Sequence, residues 1–146
     1  FLISRLGLEL LDGLFTGEYL FVKVHNKKSP IKNIIMDSHI VVGVGNIYAS
    51  ESLFKAGVLP SKLGKDITLN ECAKIVKYIK ATLKKAIELG GSSLKDFYHV
   101  NGHSGYFQQT YNVYGRKGEP CRKCKSIIEN KKIGQRSSFF CIKCQS

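Results

Sequence analysis

The chain has five cysteines, and four of them fall into two close pairs, Cys121-Arg-Lys-Cys124 and Cys141-Ile-Lys-Cys144, with sixteen residues between. A C-x2-C pair closes a tight turn that aims two thiolates inward, and two such turns make the tetrahedral four-sulfur site that Zn²⁺ prefers. Four protein ligands leave no open position. The expected ion, one structural Zn²⁺ on Cys121, Cys124, Cys141 and Cys144, would therefore organise structure and not catalysis. Two disulfides are the alternative use of the same residues, and a cytoplasmic protein disfavours them. Residues 111–146 cannot bury enough apolar surface to fold unaided, whereas a structural zinc supplies roughly 10–16 kcal/mol of apparent binding energy to such a piece.

The second stretch with chemical promise is Asp37-Ser-His-Ile-Val-Val-Gly-Val-Gly-Asn-Ile-Tyr-Ala-Ser-Glu51. Its apolar run stops at Gly43 and Gly45. Those glycines can take backbone angles closed to other residues, which would point successive N–H groups into an anion-sized hollow. Asn46 suits an N-cap, and residues 47–56 read as the helix it opens, with Ile47, Leu53 and Phe54 on the apolar side. A helix start beneath a glycine turn is a phosphate site. The plainer reading is a loop-to-helix junction whose glycines only permit a tight turn. A dinucleotide fingerprint is excluded, because Tyr48 stands where its third glycine would and no βαβ pattern surrounds it.

Other elements must position these groups. Residues 5–13 read as an approach segment. Thr16 to His25 has the apolar positions of a short, mostly buried helix, though its β-branched residues keep strand as an alternative. Ser29-Pro30 is an N-cap followed by proline at the first helical position, so a short helix should run over 31–36 and end near Asp37. Gly57-Val-Leu-Pro60 ends the helix begun at Asn46, and 61–66 reads as a surface loop. Thr68-Leu-Asn-Glu71 fits a capping box. Beyond it Leu69, Cys72, Val76, Ile79, Leu83 and Ile87 recur at helical spacing until Gly90-Gly91, with Lys74, Lys77, Lys80, Lys84 and Lys85 mostly on the other face. Cys72 then reads as a small core residue. Residues 92–97 suggest a capped turn, 99–107 a polar, glycine-rich loop, and 108–115 a strand. Between the cysteine pairs, the alternation over 127–140 predicts a β-hairpin with its tip near Gly134-Gln-Arg136.

Charge limits the partner. The 23 Lys and Arg outnumber the 11 Asp and Glu, a formal +12, and residues 1–60 carry only 6 basic and 5 acidic side chains. The excess therefore sits in the second part, which favours a polyanion, a solvated lysine face being the ordinary alternative. Residues 111–146 alone carry nine basic and two acidic side chains. A zinc-held basic hairpin suits contact with a DNA backbone. No apolar run approaches the roughly 18–20 residues of a membrane span, and the N-terminus lacks signal-peptide order, so a soluble, cytoplasmic chain is expected.

Taken together, Ile31-Lys-Asn-Ile-Ile-Met-Asp37, Val41 to Glu51, Gly90-Gly-Ser-Ser-Leu-Lys-Asp-Phe97, Gly105-Tyr-Phe107 and Val113-Tyr-Gly-Arg-Lys-Gly-Glu-Pro-Cys121, closed by the four-cysteine module, resemble the C-terminal half of the formamidopyrimidine-DNA glycosylase family. The resemblance covers nearly the whole chain. It implies a mainly α fold, a helix-two-turn-helix DNA-binding domain over 1–110 with a lesion-capping loop near 99–107, followed by a four-cysteine zinc finger over 111–146. By position, Asn46, with Gly45 beside it, matches the family's asparagine that holds the backbone next to the lesion. Lys32 matches a lysine of the same phosphate clamp, and Arg136 the zinc-finger arginine that completes it. Tyr106 falls in the loop that closes over the everted base, where His103 replaces a lysine common in the family.

The implied whole is a bifunctional glycosylase and AP lyase that removes oxidised purines from double-stranded DNA, in a bacterial, nucleoid-associated and monomeric protein. The family's nucleophile is an N-terminal proline amine assisted by a glutamate, in a preceding domain. This chain begins Phe1-Leu2 and its three prolines are internal. The expectation is a chain that binds damaged DNA without cutting it, normally continuous with an N-terminal catalytic domain. The competing reading is a non-catalytic zinc-containing nucleic-acid-binding module.

Overall fold

The structure, a computed structural model, describes residues 8–9, 13–42, 44–90 and 111–146. The turn expected over 92–97 and the loop near 99–107, with His103 and Tyr106, lie outside them.

Among the described residues, four α-helices form the larger part. The first, α1 (Gly17–Val24), starts where Thr16 is extended and its hydroxyl accepts the Tyr19 N–H at 3.1 Å. That cap decides between helix and strand, because it satisfies one of the first-turn N–H groups that a helix leaves open. Leu20 and Val24, four apart, face inward while Val22 is 64% exposed, so the helix is half-buried where a mostly buried one was expected. The second, α2 (Ile31–Ile35), is capped by extended Pro30 without a side-chain bond. Ser29 is not the cap. Its carbonyl instead accepts the Gly64 N–H at 2.9 Å, and Pro30 bridges Leu63. Residues 61–66, expected as a surface loop, thus pack under α2 and include a 3-10 turn at Gly64–Asp66 with Gly64 buried.

Between α2 and the next helix a two-residue strand, β2 (Val41–Val42), pairs in parallel with β1 (Leu8–Glu9). The central helix, α3 (Asn46–Ala56), ends at Gly57, whose φ of 77° lets its N–H reach back to the Leu53 and Phe54 carbonyls. A left-handed residue at this position favours glycine because a Cβ would crowd the following carbonyl. The capping box before α4 (Leu69–Gly90) forms as read: Glu71 N–H to Thr68 Oγ1 at 3.1 Å and Thr68 N–H to Glu71 Oε1 at 2.9 Å. Leu69 itself is 46% exposed, so the buried stripe begins at Cys72.

Phe15, Leu20, Val24, Ile31, Ile35, Leu53, Ile75 and Ile79 form the main core. The helix α1 lies so close to α4 that a Cβ on Gly17 would fall 2.7 Å from the Ala73 Cα.

The smaller part is a hairpin, β3 (Glu129–Ile133) antiparallel to β4 (Arg136–Phe140), turning at Gly134, whose φ is 66°. Its core is Val113, Cys121, Ile128 and Cys141, joined by Phe54 from α3. The central helix is therefore covered on two sides, and Ala49 to Phe54 are all buried. A single apolar face was expected there. Residues 111–115 are not a strand, and their N–H groups go elsewhere.

Candidate nucleic-acid interface and metal centre

Among the described residues, Cys121, Cys124, Cys141 and Cys144 place their four sulfurs within 4.8 Å of one another. The Cys121–Cys144 separation is 3.7 Å and the Cys124–Cys141 separation 3.4 Å. Tetrahedral zinc with Zn–S of about 2.3 Å requires sulfurs about 3.8 Å apart. A disulfide needs about 2.05 Å. The donor set and its spacing therefore fit one structural Zn²⁺.

Each cysteine turn is closed by its own device. In the first, Lys125 takes a φ of 70°, its N–H reaches the Cys121 carbonyl at 2.9 Å, and the Lys123 N–H points at the Cys121 sulfur at 3.4 Å. In the second, Gln145 closes the turn, its N–H on the Cys141 carbonyl at 3.0 Å and its Oε1 accepting the Cys141 N–H at 2.8 Å. The Gln145 Nε2 then donates to the Val58 carbonyl at 2.8 Å, tying the metal turn to the chain just after α3.

Glu51 ties the other side. Its buried carboxylate accepts three consecutive N–H groups, from Asn112 at 2.7 Å, Val113 at 2.8 Å and Tyr114 at 2.9 Å. The segment 112–114 stays irregular because its donors are spent on one side chain rather than on a ladder. Glu51 closes the stretch Asp37 to Glu51, yet nothing in the spacing marks it, since its partners are 61 to 63 residues away.

Glu51, Gln145 and Phe54 bring the hairpin over the start of α3. There Lys32, fully buried, directs its ammonium to Asn46 Oδ1, to Ser138 Oγ at 2.7 Å and to the Ser137 carbonyl at 3.4 Å. Asn46 donates Nδ2–H to the same Ser137 carbonyl at 3.1 Å. Arg136, exposed at the first position of β4, precedes these two serines directly. The Lys32 pKa is pushed down to about 8, first by burial and then by the Arg136 charge. The turn of the hairpin rests on α2, where a Cβ on Gly134 would meet the Asn33 side chain at 3.2 Å.

Two expectations change here. Asn46 is the first residue of α3 and not its cap. The cap is Gly45, without a side-chain bond, and the Asn46 side chain turns to the hairpin because Lys32 and Ser137 offer it partners there. Gly45 has φ −86° and ψ 175°, angles open to any residue, so no left-handed hollow forms at it. The space that a Gly45 Cβ would occupy is open. The structure thus gathers Lys32, Asn46 and the serines that follow Arg136, with Gly45 adjoining. Ser137, Ser138 and Glu51 were missed. The period-2 pattern of the hairpin was the one signal that could have put Ser138 on the inward face.

The description "Formamidopyrimidine-DNA glycosylase H2TH domain" matches residues 6–98, and "Zinc finger found in FPG and IleRS" matches residues 118–146. The formamidopyrimidine-DNA glycosylases of Methylobacillus flagellatus and Haemophilus ducreyi are each 54% identical over 144 residues, 99% of this chain and 52% and 53% of theirs. The chain thus spans about half the length of the curated relatives it matches. Among solved structures, the MutM (Fpg) protein of Thermus thermophilus superposes with a TM-score of 0.85 at 35% identity, over 99% of this chain and 55% of that one. The Lactococcus lactis Fpg bound to DNA containing FAPY-dG superposes at 0.84 with 30% identity, over 99% and 52%.

Proposed function

This chain belongs to the formamidopyrimidine-DNA glycosylase family, and from that membership we propose that it is the DNA-holding portion of a base-excision enzyme acting on oxidised purines such as 8-oxoguanine and formamidopyrimidines. The observation that carries the reading is the Lys32–Asn46–Ser137–Ser138 junction beside exposed Arg136, where a helix N-terminus and a basic hairpin meet. A helix start offers unsatisfied N–H groups and a partial positive charge to an anion. The open space over Gly45 lets a phosphate approach them, and Arg136 can add a two-pronged contact. Lys32, Asn46, Gly45 and Arg136 are thus the proposed backbone clamp next to the lesion, in double-stranded DNA. His103 and Tyr106 are proposed to face the everted base by their match to the family pattern. The domains are proposed at 1–110 and 111–146.

Base excision and abasic-site cleavage are assigned to residues outside these 146, in an N-terminal domain continuous with them in a monomer. The solved Fpg complexes with damaged DNA support the partner class. Among the described residues no helix is long and apolar enough to cross a membrane. By its similarity to bacterial relatives, the protein is proposed to work on bacterial DNA in the cytoplasm and nucleoid.

The test is equilibrium binding of the chain to an abasic-site duplex and to the intact duplex at matched salt, because phosphate affinity is strongly salt-dependent. Arg136→Ala and Asn46→Ala should each lose about tenfold or more on the abasic duplex, the scale of one charge-assisted hydrogen bond. Lys74→Ala, on the exposed face of α4, should lose far less. Equal small effects would refute the clamp, and no preference for the abasic duplex would favour a general nucleic-acid module. Borohydride trapping on the same duplex should give no adduct; a covalent adduct would place an attacking amine in this chain.

A further inference from the structure

We propose that Lys32 is a positioning residue of this clamp rather than a phosphate ligand, and that Ser138 is the hairpin hydroxyl that sets where its ammonium sits, leaving the direct contacts to Asn46 Nδ2 and Arg136. The proposal deepens the function above and rests on it. A lysine ammonium has three N–H groups and no acceptor. All three of Lys32 have protein acceptors: Asn46 Oδ1, Ser138 Oγ and, more weakly at 3.4 Å, the Ser137 carbonyl. The side chain is fully buried, so it cannot swing to a phosphate without leaving those partners.

The same bonds orient Asn46. Because Lys32 can only donate, the Asn46 amide must turn its oxygen to the lysine and its nitrogen to the Ser137 carbonyl, as found. One Nδ2–H then remains for an incoming oxygen. The lysine works through the asparagine.

Ser138 is the unexpected member. It is fully buried on a strand where a β-branched apolar residue would ordinarily pack better. A buried hydroxyl is kept where it has a partner, and here the partner is an ammonium carried by α2. Arg136 is the charged group that perturbs Lys32, and no carboxylate pairs with Lys32 among the described residues. Acceptors alone therefore hold the charge in place, and Ser138 gives the closest contact from the hairpin.

The experiment compares Ser138→Ala, which removes the acceptor, with Ser138→Thr, which keeps it, for abasic-duplex affinity across pH and salt. Ser138→Ala should bind about fivefold more weakly at neutral pH and lose affinity at a lower pH than the unaltered chain. Its slope of log affinity against log salt should stay the same, because no phosphate contact is removed. Ser138→Thr should restore both affinity and pH profile. Arg136→Ala should instead lower the slope by about 0.9, one phosphate's worth.

A Ser138→Ala chain identical to wild type in affinity and pH profile overturns the role of Ser138. A Lys32→Met chain whose slope falls as far as that of Arg136→Ala overturns the indirect role of Lys32. If Ser138→Ala does not retain zinc, lysine NMR of the unaltered chain decides. A slowly exchanging Lys32 ammonium supports the proposal, and one exchanging like a surface lysine refutes it. Should Arg136→Ala itself bind as wild type, the clamp fails and not merely its positioning.

Discussion

Lys32 carries a positive charge into a place where, among the described residues, no carboxylate meets it, and its pKa of about 8 follows from that burial and from the Arg136 charge. Two opposite pH effects result. The unfolded lysine keeps its ordinary value near 10.5, so between about pH 8 and 10.5 the unfolded state binds more protons, and this group's contribution to stability rises with pH. Below pH 8 both states are protonated and the folded state bears the full cost of the buried charge. DNA affinity should move the other way, falling as pH passes 8, because the neutral amine loosens its hold on Asn46 Oδ1 and Ser138 Oγ and no longer fixes the asparagine that meets the phosphate. Urea unfolding and duplex binding at pH 7 and 9, for wild type and Lys32→Met, should show the two trends separate, and both should vanish in the variant. Arg136→Ala should raise the Lys32 pKa toward its ordinary value, measurable by NMR titration. A pKa left at about 8 would mean that burial alone lowers it.

The central helix α3 is the element on which everything else is hung. Its first residue meets the hairpin, Glu51 holds residues 112–114, Phe54 enters the zinc-module core, and the chain just beyond it takes Gln145 and Ser146. Replacing Glu51 by Gln puts an amide donor against three N–H groups and leaves some of them buried without a partner. The expected cost is about 2–5 kcal/mol, read as a lowered midpoint in chemical unfolding with zinc still bound. A Glu51→Gln chain as stable as wild type would show that the apolar contacts of Phe54 suffice to hold the module. The α1–α4 contact gives a second, independent case. Gly17→Ala would force a methyl to within 2.7 Å of the Ala73 Cα, and separating the helices should cost about 1–3 kcal/mol, despite alanine's better helix propensity. A gain in thermal stability would mean that the two helices can part freely.

At the scale of the whole molecule, the metal and the clamp form one mechanical unit, since β4 bears Arg136 and the serines while the cysteine turns hold β4 in place. Chelation, or Cys121→Ser, should disorder 111–146, leave the helical part folded, and abolish preference for abasic DNA. Metal analysis, circular dichroism and duplex binding test the three parts. Retained preference without zinc would uncouple them. What the amino-acid order determined alone is what depends on near neighbours: the two cysteine turns, the capping box of Thr68 and Glu71, the stop at Gly57 and the alternating hairpin. Resemblance to a known family supplied Lys32, Asn46 and Arg136 together. The tertiary structure alone decided what those residues do. Asn46 left its expected cap because a hairpin 91 residues away offered a carbonyl. The strand expected over 108–115 is not formed in its described part, 111–115, because Glu51 captures the donors of 112–114. Gly45 stayed in ordinary backbone. Buried polar groups find partners wherever the fold places them, and periodicity along the chain carries no record of contacts that distant.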